Sequence, residues 1–412
     1  MNYRIFPPDG IIETKISLPL SKSMSARALI INKIGGFDVN ISLSDSDDTQ
    51  ALKEAFLEPL NEINIGPAGT AMRFLTAYYA SNEGCDVILD GNERMRHRPI
   101  RILVEALTKL GADISYIDKD GFPPLHIKGK KLDGGTIELD ASVSSQFVSA
   151  LMMVAPSMKN PLTIVFNGEP TSVPYIKMTA GMMSLAGVDC EVLPDRVLIP
   201  NKSYEAPVLH IEHDWSAASY WYSITALSAG WVTLEDMGMP FSLQGDSKMK
   251  EYGEKIGVVS KISEDFEKAL ELSSGPEQHS RLDLDLSGTP DLVQTLAVSC
   301  AALSIPFKFT GVHTLKDKET DRLQALKNEL DKLGIIIEIE NNNTLSWNGN
   351  HLPMLEMPRI ATYGDHRMAM AFSPLSIFIP GIVIENCQVV SKSYPSFWHD
   401  LQNAGFVIEE VD

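Results

Sequence analysis

Asp365, His366 and Arg367 stand in succession at the head of an apolar run that continues through Met368, Ala369 and Met370. Charged groups are costly to bury unless something pairs with them, so this trio at the mouth of a core-entering helix can hold an anion or orient a proton. It also reads as a buried histidine with an aspartate that orients it. Lys316, Asp317, Lys318, Glu319, Thr320, Asp321 and Arg322 form the densest charge run in the chain. Such a run is ordinarily a solvated helix start. Here Lys318 and Arg322, at i and i+4, can share a helix face, and Glu319 beside two cations is suited to moving a proton. Asp291, between Pro290 and Leu292, opens a helix of apolar and small residues. It is either an N-cap or, in a partly dry site beside a hydroxyl, a general base. Lys392 is a lone cation before another helix.

A second group of residues suits anions through helix starts. Ser21 or Ser23 can cap a helix carrying Lys22 in its first turn and Arg27 one turn later, or the stretch is an ordinary capped helix with two solvated cations. Gly66 to Arg73 is a glycine-bearing turn into a helix, where the amides of Gly69 and Thr70 can approach a phosphate, or serve mere capping. Arg94, Arg96 and Arg98 precede Pro99 at an expected first helical position. Cations there oppose the helix dipole, so at least one should meet an anion, with Arg98 favoured. Ser144, Ser145 and Gln146 start a helix with uncharged donors, and Ser172 and Tyr175 flank Pro174 in a similar polar start.

These side chains need elements to hold them, and the composition bounds what those can be. With 412 residues, 44% of them hydrophobic, the chain should form two domains of about 200 residues each. A net charge of −19 argues against nucleic acid and makes conspicuous cations informative. The most apolar stretch, Pro374 to Ile384, is cut by Pro380 and Gly381 and falls short of the roughly 18 residues of a membrane span. Met1 to Pro8 is expected not to be a signal peptide. Cys85, Cys190, Cys300 and Cys387 are widely spaced without metal-ligand spacing, as reduced thiols of a cytoplasmic protein would be.

A repeat organises the chain. Helices Pro99 to Leu110, Tyr175 to Ala186, Lys248 to Ile256, Asp321 to Leu333 and Ser396 to Ala404 each run into a glycine suited to a left-handed cap; a sixth, Asp48 to Leu60, lacks it. Alternating with them are helices apolar nearly all round, beginning near Ser21, Ala68, Ser144, Ser216, Asp291 and Asp365, which must be buried. Six such units imply two similar domains, with sheets outside and apolar helices inside. The chain should cross between domains near Leu20 and near Glu212 to Trp215. Residues 242–285, notably Ser273 to Ser280, read as a polar surface excursion.

Assembled in order, SKSMSAR, DSDD, AGTAMR, RMRHRPI, SSQF, KETDR, DHRMAM and SKSYP resemble the 3-phosphoshikimate 1-carboxyvinyltransferase (EPSP synthase) family over nearly the whole chain. The resemblance implies a two-domain inside-out α/β barrel, each domain of three βαβαββ repeats, with residues 1–20 and 213–412 in one domain and 21–212 in the other. It implies transfer of the enolpyruvyl group of phosphoenolpyruvate to the 5-hydroxyl of shikimate 3-phosphate by addition and elimination, without metal or organic cofactor. A cytoplasmic monomer with no nucleic-acid or membrane partner is expected. By the same resemblance Ser23, Arg27, Ser144, Ser145, Gln146, Ser172, Tyr175, Asp291 and Lys318 hold shikimate 3-phosphate. Lys22, Gly69, Arg98, Gln146, Arg322, His366, Arg367 and Lys392 hold phosphoenolpyruvate. Lys22, Asp291 and Glu319 are the catalytic candidates.

The sequence departs from the family pattern at Pro67, Phe74 and Val173, and the interval between Arg27 and Gly69 is short, as though a strand hairpin of the first repeat were missing. Gly69 suggests room for the inhibitor glyphosate. Two other functions are weighed: transfer to UDP-N-acetylglucosamine, against which RMRHRP has no cysteine and Ser23 follows Lys22, and non-catalytic phosphometabolite binding, against which Asp291 and Glu319 are both present.

Overall fold

The computed structural model describes every residue except 58–60, 141–143, 229, 265, 267, 276–278 and 355. It comprises two compact units: a terminal unit of Met1–Pro19 with His213–Asp412, and a central unit of Leu20–Glu212. At the crossings, the Asp214 amide donates to the Pro19 carbonyl (2.9 Å) within the terminal unit. The Ser21 amide donates to the Glu212 carbonyl (2.7 Å) within the central one.

One four-stranded pattern recurs in all five sheets of the described residues. Gly135–Asp140 runs parallel to Leu162–Asn167, Arg196–Ile199 pairs antiparallel beside it, and Glu191–Val192 lies at the edge. A parallel pair cannot be closed by a hairpin, so helix Ser145–Val154 crosses between the first two strands. The same order holds for Glu62–Asn64, Asp86–Asp90, Leu125–Lys128 and Asp113–Tyr116 in the central unit, and for Leu282–Asp285, Phe307–Thr310, Thr344–Trp347 and Glu338–Glu340 in the terminal unit. The remaining two sheets of the terminal unit are completed from the N-terminus. Glu13–Ile16 runs parallel to Trp231–Leu234, and Asn2–Phe6 fits antiparallel between Ile382–Ile384 and Val407–Val411.

The crossover helices are the buried ones. Trp215–Leu227 buries every residue except Ser216 and Ala226, and Val293–Ala302 and His366–Phe372 are similarly enclosed. Burying hydroxyls all round a helix is tolerable because they bond to carbonyls one turn back: Thr225 to Trp221, Ser299 to Thr295, Ser373 to Ala369 and Thr76 to Met72. Ser219 also meets Thr295 (3.1 Å) and Ser299 meets Ser223 (2.8 Å) across neighbouring helices. Small hydroxylated faces thereby pack closely with these hydroxyls satisfied. The amphipathic helices Arg101–Lys109, Val173–Leu185, Met249–Lys255, Arg322–Lys332 and Phe397–Asn403 precede Gly111, Gly187, Gly257, Gly334 and Gly405, all with positive φ. Among the described residues, no helix is long and apolar enough to cross a membrane.

The first repeat of the central unit is short. Helix Lys22–Gly35 is followed by helix Asp47–Glu54 with no strand between them, so this unit shows two sheets, not three, among the described residues. Leu60, the expected end of the sixth amphipathic helix, lies outside the described residues. Two local expectations are corrected. Pro99 is not at a helix start: Arg98 is extended (φ −94°, ψ 121°) and the helix begins at Arg101. Residues 242–285 are no mere excursion either: they include helix Met249–Lys255 and strands Val258–Ile262 and Leu270–Ser274, with Gln244 and Asp246 buried. Within Ser273 to Ser280, residues 276–278 lie outside the described residues.

Candidate active site

In the central unit, Ser21 caps helix Lys22–Gly35, its hydroxyl accepting from the Met24 amide at 3.4 Å. Lys22, in the first turn, pairs with Asp48 (Nζ to Oδ2, 3.1 Å) at the start of the short helix after it. The missing strand hairpin thus leaves the helix pair itself intact. Arg27 is buried and donates to Thr179 Oγ1 (2.7 Å), Ser149 Oγ (3.1 Å), the Ser23 carbonyl (2.8 Å) and the Tyr175 carbonyl (3.4 Å). Phe74, one of the departures from the family pattern, lies under its guanidinium at 5.4 Å. Burial pulls Arg27 down to about 10, which still leaves it charged at neutral pH.

Arg98 is differently placed. Unlike Arg94 and Arg96 it is only 9% exposed, no carboxylate among the described residues pairs with it, and its Nε is buried without a hydrogen-bond partner. It converges with Arg73 on Gly69. A Cβ there would lie 2.5 Å from Arg98 Nη1 and 2.7 Å from Arg73 Nη1, so glycine is what lets two guanidinia approach this helix start. The N-cap, Ala68, supplies no side-chain acceptor. Two cations at the positive end of a helix with no side-chain cap favour an anion there. Gln146 reaches the same corner, its Nε2 3.2 Å from Thr70 Oγ1, with Ser144 capping its helix and Ser145 buried beside it. Ser172 precedes helix Val173–Leu185 in the left-handed region (φ +54°) and is buried, a conformation costing about 1–2 kcal/mol for a residue with a Cβ. Tyr175 is half-buried two residues into that helix.

In the terminal unit the ionisable residues form a branched chain of alternating charge. Lys392 Nζ lies 3.3 Å from Glu319 Oε1, whose other oxygen lies 2.9 Å from Arg322 Nη2. Arg322 Nη1 meets Asp291 Oδ1 at 3.0 Å, and Asp291 Oδ2 meets Arg367 Nη2 at 2.8 Å. Arg322, 2% exposed, is also held through Nε by Asp365 Oδ2 at 2.7 Å. Acids on three sides outweigh its burial and raise its pKa above the usual guanidinium value. Asp365 uses its other oxygen to cap helix His366–Phe372 through the Arg367 amide (2.9 Å), with His366 Nδ1 at 3.7 Å. Arg367 also donates to the Tyr220 hydroxyl (3.4 Å), whose pKa burial pushes up to about 12.

Two sequence expectations are revised here. Asp291 is not at an N-cap position: it sits in a short 3-10 turn, Pro290–Leu292, and its carboxylate bridges two arginines. Lys318 and Arg322 share no helix face, because Asp321 is the N-cap and the helix begins at Arg322. Lys318 is half-buried ahead of it. One residue went unread. Asp246 is 3% exposed and accepts from Ser216 Oγ at 2.5 Å. Burial first, then the nearby Asp291 charge, lifts its carboxyl to about 7. A lone aspartate in a polar stretch carries no periodic signal that would have marked it as buried.

A family model described as EPSP synthase (3-phosphoshikimate 1-carboxyvinyltransferase) matches residues 37–401. The 3-phosphoshikimate 1-carboxyvinyltransferase of Bacteroides fragilis is 47% identical over 412 residues, covering 99% of each chain. That of Methanospirillum hungatei is 34% identical over 416 residues, covering 94% of each. Among solved structures, EPSP synthase from Acinetobacter baumannii aligns over 100% of both chains with a TM-score of 0.75 at 19% identity, a likeness of fold.

Proposed function

The chain belongs to the EPSP synthase family, and from that premise we infer that it transfers the enolpyruvyl group of phosphoenolpyruvate to the 5-hydroxyl of shikimate 3-phosphate, releasing phosphate, in the shikimate pathway. The observation that carries the mechanism is that Asp291 and Glu319 each bridge two cations. Addition requires a base for the hydroxyl and an acid for the methylene carbon. Asp291 takes the hydroxyl proton as the oxygen attacks C2 of phosphoenolpyruvate, and Glu319 delivers a proton to C3. The tetrahedral intermediate then loses phosphate as C3 returns a proton, so atoms and charge balance over the two steps. Lys22 neutralises developing charge.

The binding roles are the ones that the family resemblance implies. Arg98 with the Gly69 turn, together with Lys22, Gln146, Arg322, His366, Arg367 and Lys392, serves phosphoenolpyruvate. Ser23, Arg27, Ser144, Ser145, Gln146, Ser172, Tyr175, Asp291 and Lys318 serve shikimate 3-phosphate. The two arginine groups differ in electrostatic preparation. Among the described residues Arg98 has no acidic partner to displace, whereas an anion approaching Arg322 or Arg367 competes with Asp291, Glu319 and Asp365. Fixed cations aimed at a trianionic donor stabilise charge without reorganising solvent. The protein is proposed to act as a cytoplasmic monomer.

Phosphate release from phosphoenolpyruvate tests this directly. Release that depends on shikimate 3-phosphate, with none when UDP-N-acetylglucosamine replaces it, is the expected result. Release independent of either acceptor would overturn the assignment, and binding without release would favour a non-catalytic phosphometabolite-binding protein.

A further inference from the structure

We propose that Asp246 is a positioning residue for the phosphoenolpyruvate site, acting through the Ser216 hydroxyl on the guanidinium of Arg367; this rests on the reading that Arg367 holds that substrate. A hydroxyl has one proton and two lone pairs. Ser216 gives its proton to Asp246 Oδ2 at 2.5 Å, so toward Arg367 Nη2, 3.4 Å away, it presents lone pairs only. The donor of that arginine therefore lies between the Asp291 carboxylate at 2.8 Å and a hydroxyl of fixed polarity.

Asp246 is not needed to dock its own segment. Gln244, two residues earlier, already pins it to the start of helix Trp215–Leu227, accepting from the Trp215 amide at 3.0 Å and donating to the His213 carbonyl at 2.7 Å. The other oxygen of Asp246 is buried with no hydrogen-bond partner, a cost that docking does not explain. Its function appears when substrate arrives. An anion on Arg367 competes with Asp291 for the guanidinium, whereas the neutral Ser216 hydroxyl stays. Without Asp246 that hydroxyl is free to rotate, and the arginine loses a fixed acceptor.

Steady-state kinetics in both substrates provides the test. Asp246→Ala should raise the KM for phosphoenolpyruvate about tenfold, the scale of one hydrogen bond to a charged group, while the KM for shikimate 3-phosphate stays at the wild-type value. Asp246→Asn, whose amide oxygen can accept from Ser216, should restore the lower value. Ser216→Ala should reproduce Asp246→Ala, and the double variant Ser216→Ala/Asp246→Ala should be no worse than either; Ser216→Ala decides the matter if Asp246→Ala does not fold. A rise for both substrates alike, failure of Asn to rescue, or additive losses would overturn the proposal. So would an unchanged phosphoenolpyruvate KM in Asp246→Ala while Arg367→Lys raises it. If Arg367→Lys itself leaves that KM unchanged, the underlying assignment of Arg367 fails first.

Discussion

Asp291 is shared between two guanidinia, with Oδ1 3.0 Å from Arg322 Nη1 and Oδ2 2.8 Å from Arg367 Nη2. The arrangement fixes the carboxylate in orientation and makes it the internal competitor of any anion those arginines bind. Asp291→Asn keeps the shape and removes both properties. Turnover should fall by about 10²–10⁴, the usual contribution of a positioned base, while the KM for phosphoenolpyruvate should not rise. Near-normal turnover with intact binding would move the base elsewhere.

Gly69 is defined by what a side chain there would strike. A methyl group would lie 2.5 Å from Arg98 Nη1 and 2.7 Å from Arg73 Nη1, and the ends of two flexible side chains must yield. Gly69→Ala should fold normally, since alanine favours a helix by about 1 kcal/mol over glycine. Displacing Arg98 should raise the KM for phosphoenolpyruvate and leave that for shikimate 3-phosphate within error. A crystal structure of the variant with both arginines unmoved would count against the argument.

Arg27 illustrates a residue with two duties. Its four donor contacts, to Thr179, Ser149 and the carbonyls of Ser23 and Tyr175, tie three helices of the central unit. Arg27→Ala should therefore weaken shikimate 3-phosphate binding and also destabilise the protein by about 2–4 kcal/mol. Calorimetry separates the duties: a purely ligand-binding arginine would leave the melting temperature unchanged.

The order of the elements was legible because burial imposes a period. Segments such as Tyr220 to Leu227 and Leu292 to Leu303 are apolar on every face and could only be interior helices, and Gly111, Gly187, Gly257, Gly334 and Gly405 mark the ends of the others. Helix starts were less legible. The pattern extends the helices back to Pro99 and Lys318, whereas they begin at Arg101 and Arg322, because a cap is decided by one hydrogen bond and not by a pattern. Charge at Asp291, Glu319, Asp365 and Arg367 marked the site, but the sequence could not say that these four would pair with one another through Arg322 and Lys392. Asp246 was invisible for a related reason. Its burial is a tertiary fact, created when the segment docks through Gln244 onto a helix start some 30 residues earlier.

That buried carboxyl has a consequence for stability. Burial and the Asp291 charge hold Asp246 at about 7 in the folded protein, against 3.8 for the ordinary carboxyl. Between those values the folded state binds a proton that the unfolded chain has released. Stability from this group is therefore fully present below about pH 4, falls as pH rises through the window, and is gone above about pH 7. The loss is on the order of 4 kcal/mol at 1.36 kcal/mol per pH unit. The neighbours that face the group are Asp291 and Asp214, which repel its anion, and Arg367 and Ser216, which favour it. Asp246→Asn cannot titrate. Relative to wild type it should gain stability steadily from about pH 4 to about pH 7 and level off above that, as read by urea unfolding at each pH. A constant difference across that range would mean that Asp246 is ionised throughout, with Arg367 and Ser216 outweighing its burial.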